Sequence, residues 1–157
     1  MTDMAFSSAY ELIAALKSKQ ISSLELTDLY INRIEKFDGD INAVVVRDFE
    51  KARDAAKVAD EATANNSDLG PLHGLPMTIK EAYDIEGLPT TWGIAELRNN
   101  IAQSDAATVQ HLKKAGAHFM GKTNVPLNLA DFQSFNDIYG TTNNPWDLTR
   151  TPGGHHP

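Results

Sequence analysis

Gly70-Pro-Leu-His-Gly-Leu-Pro-Met-Thr-Ile-Lys80, running directly into Glu81-Ala-Tyr-Asp-Ile-Glu-Gly-Leu-Pro-Thr-Thr-Trp-Gly93, is the stretch on which the fold turns. Pro71 and Pro76 flank the approach to a short apolar run, Met77 to Ile79, which predicts a strand ending on one lysine. A lysine at the inner end of a buried strand is desolvated, and desolvation lowers an amine's pKa toward the range of a general base. On spacing alone the commoner reading is an ordinary solvated lysine. A second bland reading pairs Lys80 with Glu81 or Asp84, which would hold it charged.

Upstream of this stretch the pattern is mostly helical. Ser7 or Ser8 can cap a short helix with Tyr10, Ile13 and Leu16 or Leu12 on its apolar face. Ser22-Ser-Leu-Glu25 has the spacing of a capping box and opens a second helix with Leu26, Leu29, Tyr30, Ile34 and Phe37 inward. Asp38-Gly-Asp40 is expected to end it. Ile41 to Val46 is a β-branched run and predicts a strand. Asp48 to about Ala64 returns to helix, with small positions at Ala52, Ala55, Ala56, Ala59 and Ala62 for close packing.

Downstream, Ser104-Asp105 is expected to cap a helix through Ala115, with Gly116 just past its end. Ala117 to Gly121 predicts a strand, and Thr123-Asn124 before Pro126 predicts a further helix over Val125–Asp131. The rest, Phe135 to Pro157, is rich in Asn, Thr, Gly and Pro and reads as loop. Trp92 and Trp146 are expected to anchor loops by packing, and Asn143-Asn144-Pro145 to build a turn. Strands alternating with helices give an α/β class.

At 157 residues and 41% hydrophobic content, the chain is long enough for a core and shows no composition shift. A net charge of -7 disfavours nucleic acid, because its lysines and arginines are scattered among acids, as in Arg47 to Asp54. With no cysteine there is no disulfide, thiolate nucleophile or Cys-based zinc site. The opening Met1-Thr-Asp-Met-Ala-Phe-Ser-Ser has neither the basic segment nor the apolar core of a signal peptide, and no run is long enough for a membrane span. A cytoplasmic protein with no membrane partner is expected. His73, His111 and His118 lack metal-ligand spacing, and His111 reads as a helix-surface residue.

A second block carries further information: Gly121-Lys-Thr-Asn124, Asn136-Asp-Ile-Tyr-Gly-Thr-Thr-Asn-Asn-Pro-Trp-Asp147 and Arg150-Thr-Pro-Gly-Gly154. With Asp105-Ala-Ala-Thr-Val, Lys114-Ala-Gly-Ala117 and the Lys80 stretch, it resembles the amidase signature family, block for block and in the same order. The resemblance covers about Gly70 to Gly154. It implies the N-terminal part of an α/β/α sandwich around a mixed sheet. On that basis 1–157 is one incomplete domain: a mainly helical region over 1–69, the start of the core over 70–154, and a tail over 155–157.

The resemblance also implies a mechanism built on a lysine, a serine in a cis peptide and a nucleophilic serine, with no cofactor and no metal. Lys80 matches the lysine. The position matching the cis-serine holds His155, and the nucleophile has no counterpart up to Pro157. The expectation is therefore an amidase acting on linear, non-peptide C–N bonds of a small-molecule amide, with 1–157 inactive by itself. The rival enzyme reading is the glutaminase-type subunit of the tRNA-dependent amidotransferase. Leu129-Ala-Asp-Phe-Gln-Ser134 departs from that subunit's usual pattern. The non-enzyme reading is a truncated remnant or scaffold. The bond before His155 is expected to be trans, and self-association is expected through Met77–Lys80 and Ala117–Gly121 as exposed sheet edges.

Overall fold

A computed structural model describes residues 4–65 and 69–153. After one turn at Met4–Phe6 come α1 (Ala9–Lys17), α2 (Ser23–Ile41), β1 (Val44–Arg47) and α3 (Phe49–Ala64). β2 (Pro76–Lys80), α4 (Ala107–Lys114), β3 (His118–Thr123) and a small hairpin of β4 (Phe135–Asn136) and β5 (Gly140–Thr141) complete the order.

The main sheet runs β1-β3-β2, with β2 parallel and β1 antiparallel to the central β3. A parallel pair needs a long crossover, and the chain between β2 and β3 supplies it through a looped segment and α4. Val109 of α4 is fully buried and clusters with Val46, Ile85, Leu88 and Phe119, against which Met77 and Ile79 pack. Because β3 alternates, Met120 faces the opposite way and meets Ile31 of α2 and Ala52 of α3. Helices thus cover both faces of a mixed sheet, as the α/β/α expectation required. A third cluster, Leu12, Leu16, Leu26 and Leu75, joins α1 and α2 to the approach to β2.

The first two helices start as their sequences dictate. Ser8 accepts from Glu11 N while the Glu11 carboxylate accepts from Ser8 N, and Ser22 and Glu25 repeat the arrangement. The apolar face of α1 is Leu12, Ala15 and Leu16, whereas Tyr10 is 84% exposed. In α2 the inward positions include Leu26 and Ile31, and Phe37 lies outside.

Other expectations need correction. α2 does not stop at Asp38-Gly-Asp40: it continues to Ile41 and ends on Asn42 in the left-handed conformation. The strand expected over Ile41–Val46 is Val44–Arg47. α4 has no side-chain cap, because Asp105 is engaged elsewhere, accepting from Glu86 N and Lys113 Nζ. No α-helix forms over Val125–Asp131, only a turn at Leu127–Leu129. Asn124 explains this. Its oxygen accepts from Val125 N and Asn136 Nδ2, and its amide donates to Gly140 O and Thr142 Oγ1, so it ties loops together instead of capping a helix. Trp146 is 95% exposed and anchors nothing. Ala117–Gly121 is not an edge, since β3 is paired on both sides.

Candidate active site

β2 delivers Lys80 at its C-terminal end, half-buried and in parallel register with Thr123 of β3. The Thr123 hydroxyl is buried and has no hydrogen-bond partner among the described residues. The ladder continues one step beyond β2, where Glu81 N donates to Thr123 O. Strand alternation then places the side chains of Lys80 and Glu81 on opposite faces.

Glu81 is fully buried and surrounded by donors. Thr91 N and Thr91 Oγ1 donate to its Oε1 at 2.6 and 2.8 Å, Trp92 N donates to Oε2 at 3.0 Å, and Tyr139 OH donates to Oε1 at 3.0 Å. A carboxylate taken out of water is tolerable only with such a set. Burial, with the Glu81 charge beside it, pushes the Tyr139 phenol up to about 12. Neither the ring of donors nor the burial of Glu81 was expected from sequence. The sole signal was an acid adjoining a predicted strand end and followed by a Gly/Pro/Thr-rich loop.

Lys122 was also missed as a site residue. It lies inside the wholly buried β3, is itself fully buried, and donates from Nζ to Pro89 O and, at 2.8 Å, to Thr90 Oγ1. Desolvation lowers its pKa to about 8, against the opposing attraction of Glu81 and Asp84. The two buried charges therefore hold consecutive parts of one turn, Lys122 at Pro89 and Thr90, Glu81 at Thr91 and Trp92.

Trp92 follows in a left-handed conformation at φ 53°, which is unusual for a bulky residue. Its Nε1 donates to Ala82 O and its carbonyl accepts from Asn128 N, so the strained residue is fixed at several points. Trp92 keeps 43% of its surface exposed, so it is less a packing anchor than a presented residue.

Among the described residues no cluster of three or more His, Cys, Asp and Glu could hold a metal ion. His73 Nε2 lies 2.9 Å from Ala59 O and 3.1 Å from Thr63 Oγ1, and His111 is exposed on α4. His155 and the peptide bond before it lie outside the described residues. A cavity of about 300 Å³ lies away from Lys80, lined in part by Ser23, Asp60, Thr63, His73 and Gly74. No helix among the described residues is long and apolar enough to cross a membrane.

The Amidase family model matches residues 25–155. The chain belongs to the amidase signature family. It is 40% identical over 148 residues to an acylamidase of Rhodococcus erythropolis, covering 94% of this chain and 31% of that protein. It is 42% identical over 151 residues to a glutamyl-tRNA(Gln) amidotransferase subunit of Aromatoleum aromaticum, covering 96% of this chain and 31% of that one. A bacterial aryl acylamidase of the amidase signature family superposes with a TM-score of 0.86 at 30% identity, over 96% of this chain and 31% of its own. This amidase signature chain thus spans about a third of the length of the relatives it matches.

Proposed function

We propose that this chain contributes to hydrolysis of linear, non-peptide amide C–N bonds of a small-molecule substrate, with Lys80 as the proton carrier of a Ser/cis-Ser/Lys relay. The observation that carries the reading is the placement of Lys80: the last residue of a parallel strand, matching the family's lysine, on the face opposite the buried Glu81. In such a relay the neutral amine takes a proton through the cis-serine as the nucleophilic serine attacks the carbonyl, then returns it to the departing amine. This is a Ser-Lys form of triad logic. No cofactor is needed, and the reaction is expected in the cytoplasm.

Within these 157 residues no serine follows Gly154, so an attacking hydroxyl is not supplied. Purified 1–157 is therefore expected to give no turnover with simple aliphatic and aromatic amides. Turnover that disappears in Lys80→Ala would overturn this. The amidotransferase reading draws support from the 42% identity to the Aromatoleum aromaticum protein. A longer form carrying this segment should, on the favoured reading, hydrolyse free amides with no other subunit present.

A further inference from the structure

Turns that carry functional side chains need rigid support, and here the support is two buried charges, Lys122 within β3 and Glu81 just past the end of β2. Val46 and Ile79 pair with Lys122 from β1 and β2, so no charge faces it from the strands beside it. The charged groups within its electrostatic reach are Glu81 and Asp84, both on the turn after β2. Tyr139 joins the cluster through Glu81, and Arg98 acts on Tyr139. The groups that Lys122 touches, Pro89 O and Thr90 Oγ1, are neutral acceptors on the turn that Glu81 holds one residue further on.

We propose that Lys122 is a positioning residue: acting with Glu81, it clamps the Pro89–Gly93 turn and so holds the partly exposed Trp92 as a fixed apolar wall beside the strand end that carries Lys80. The functional value of the wall rests on the Lys80 reading, but the clamp does not. Closing the turn removes the ammonium from water, so the closed form binds its proton less well than an opened, hydrated form. Protonation thus favours opening, and the closed turn gains as pH rises from about 8 toward the ordinary lysine value of 10.5. A lysine buried independently of the turn would show that gain only through global unfolding, equally at core amides and at the turn.

The test is hydrogen exchange of the Thr91 and Trp92 amides in 1–157, corrected for intrinsic base catalysis and compared with core amides such as Val109. In the unaltered chain, protection at Thr91 and Trp92 is expected to rise at least about tenfold between pH 7 and 10, relative to Val109. In Lys122→Arg, which stays charged, that rise should vanish. In Lys122→Met, which cannot donate to Pro89 and Thr90, the two amides should exchange about tenfold faster at pH 7 while Val109 keeps its protection. If Lys122→Met does not fold, the pH series on the unaltered chain and the arginine variant still decide. No pH-dependent gain at Thr91 and Trp92, or equal changes at Val109, would overturn the proposal. Neither outcome bears on whether Lys80 carries protons, since no readout uses activity.

Discussion

His118 shows how a single side chain can make this chain acid-sensitive. The Thr27 hydroxyl donates to Ser23 O at 2.7 Å, so at 2.9 Å it accepts from His118 Nε2–H, a bond that the neutral and the charged ring can both make. The ring is buried at the start of β3, and that desolvation lowers its pKa to about 4; Asp60 opposes the shift and His73 adds to it. The folded value lies below the ordinary one of 6.5, so between these values the unfolded chain binds the proton and the folded chain does not. Stability from this residue is therefore full above pH 6.5 and is lost as pH falls toward 4, by on the order of 2 kcal/mol. Urea titrations at pH 7 and pH 4 check this. His118→Gln can still donate to Thr27 and should lose less over that interval; an equal loss would show that carboxylates alone set the acid response.

At the scale of elements, β3 is the hinge of the fold, and Gly121 is what lets β1 approach it. A Cβ at that position would sit 2.2 Å from Val46 O, a backbone atom that cannot rotate away. The site is also where the β2–β3 register shifts. Gly121→Ala should force β1 off β3 and cost about 3 kcal/mol or more, read as a lowered urea midpoint. An unchanged midpoint would mean that the β1–β3 pair contributes little. The same strand marks the limit of what sequence could show. Its apolar start was legible as Ala117 to Gly121, yet it runs on through Lys122 and Thr123. A lysine in a buried strand reads as a stop, and only partners 32 and 33 residues away make it acceptable. Locally determined features were readable: the Ser22–Glu25 capping box, a serine cap on α1, Gly116 behind α4, and the strand that ends on Lys80. Features settled by distant groups were not. Asp38 reaches forward to Ala43 N, Val44 N and Arg47, binding α2 to β1 where a helix stop was expected. Asn124 gave up its expected helix cap to partners up to 18 residues away. For the candidate site, Lys80 was visible because it closes a strand, while the Glu81–Lys122 clamp exists only once the turn has folded back.

For the whole molecule, what matters is which surfaces these 157 residues leave uncovered. β3 is satisfied on both sides, but among the described residues β2 pairs on one side only and presents an open edge. Such an edge is a template for pairing with another chain. Beyond β3 the chain is thinly packed: Leu127 is 53% exposed, Phe132 72%, Trp146 95% and Leu148 49%. Single exposed apolar side chains are ordinary, but several from one segment mark a surface made to be covered. The relatives are about three times as long, which gives their remainder ample material to cover it. In isolation, 1–157 should satisfy the same surfaces with its own copies. Light scattering is expected to show a mass that grows with concentration. Replacing Leu127 and Trp146 by Ser should weaken that growth with little change in the unfolding temperature, since both residues are more than half exposed. A monodisperse monomer with a sharp cooperative unfolding transition would show instead that the open edge and apolar segment are tolerated in water, and that a segment about a third of its relatives' length can stand as a domain of its own.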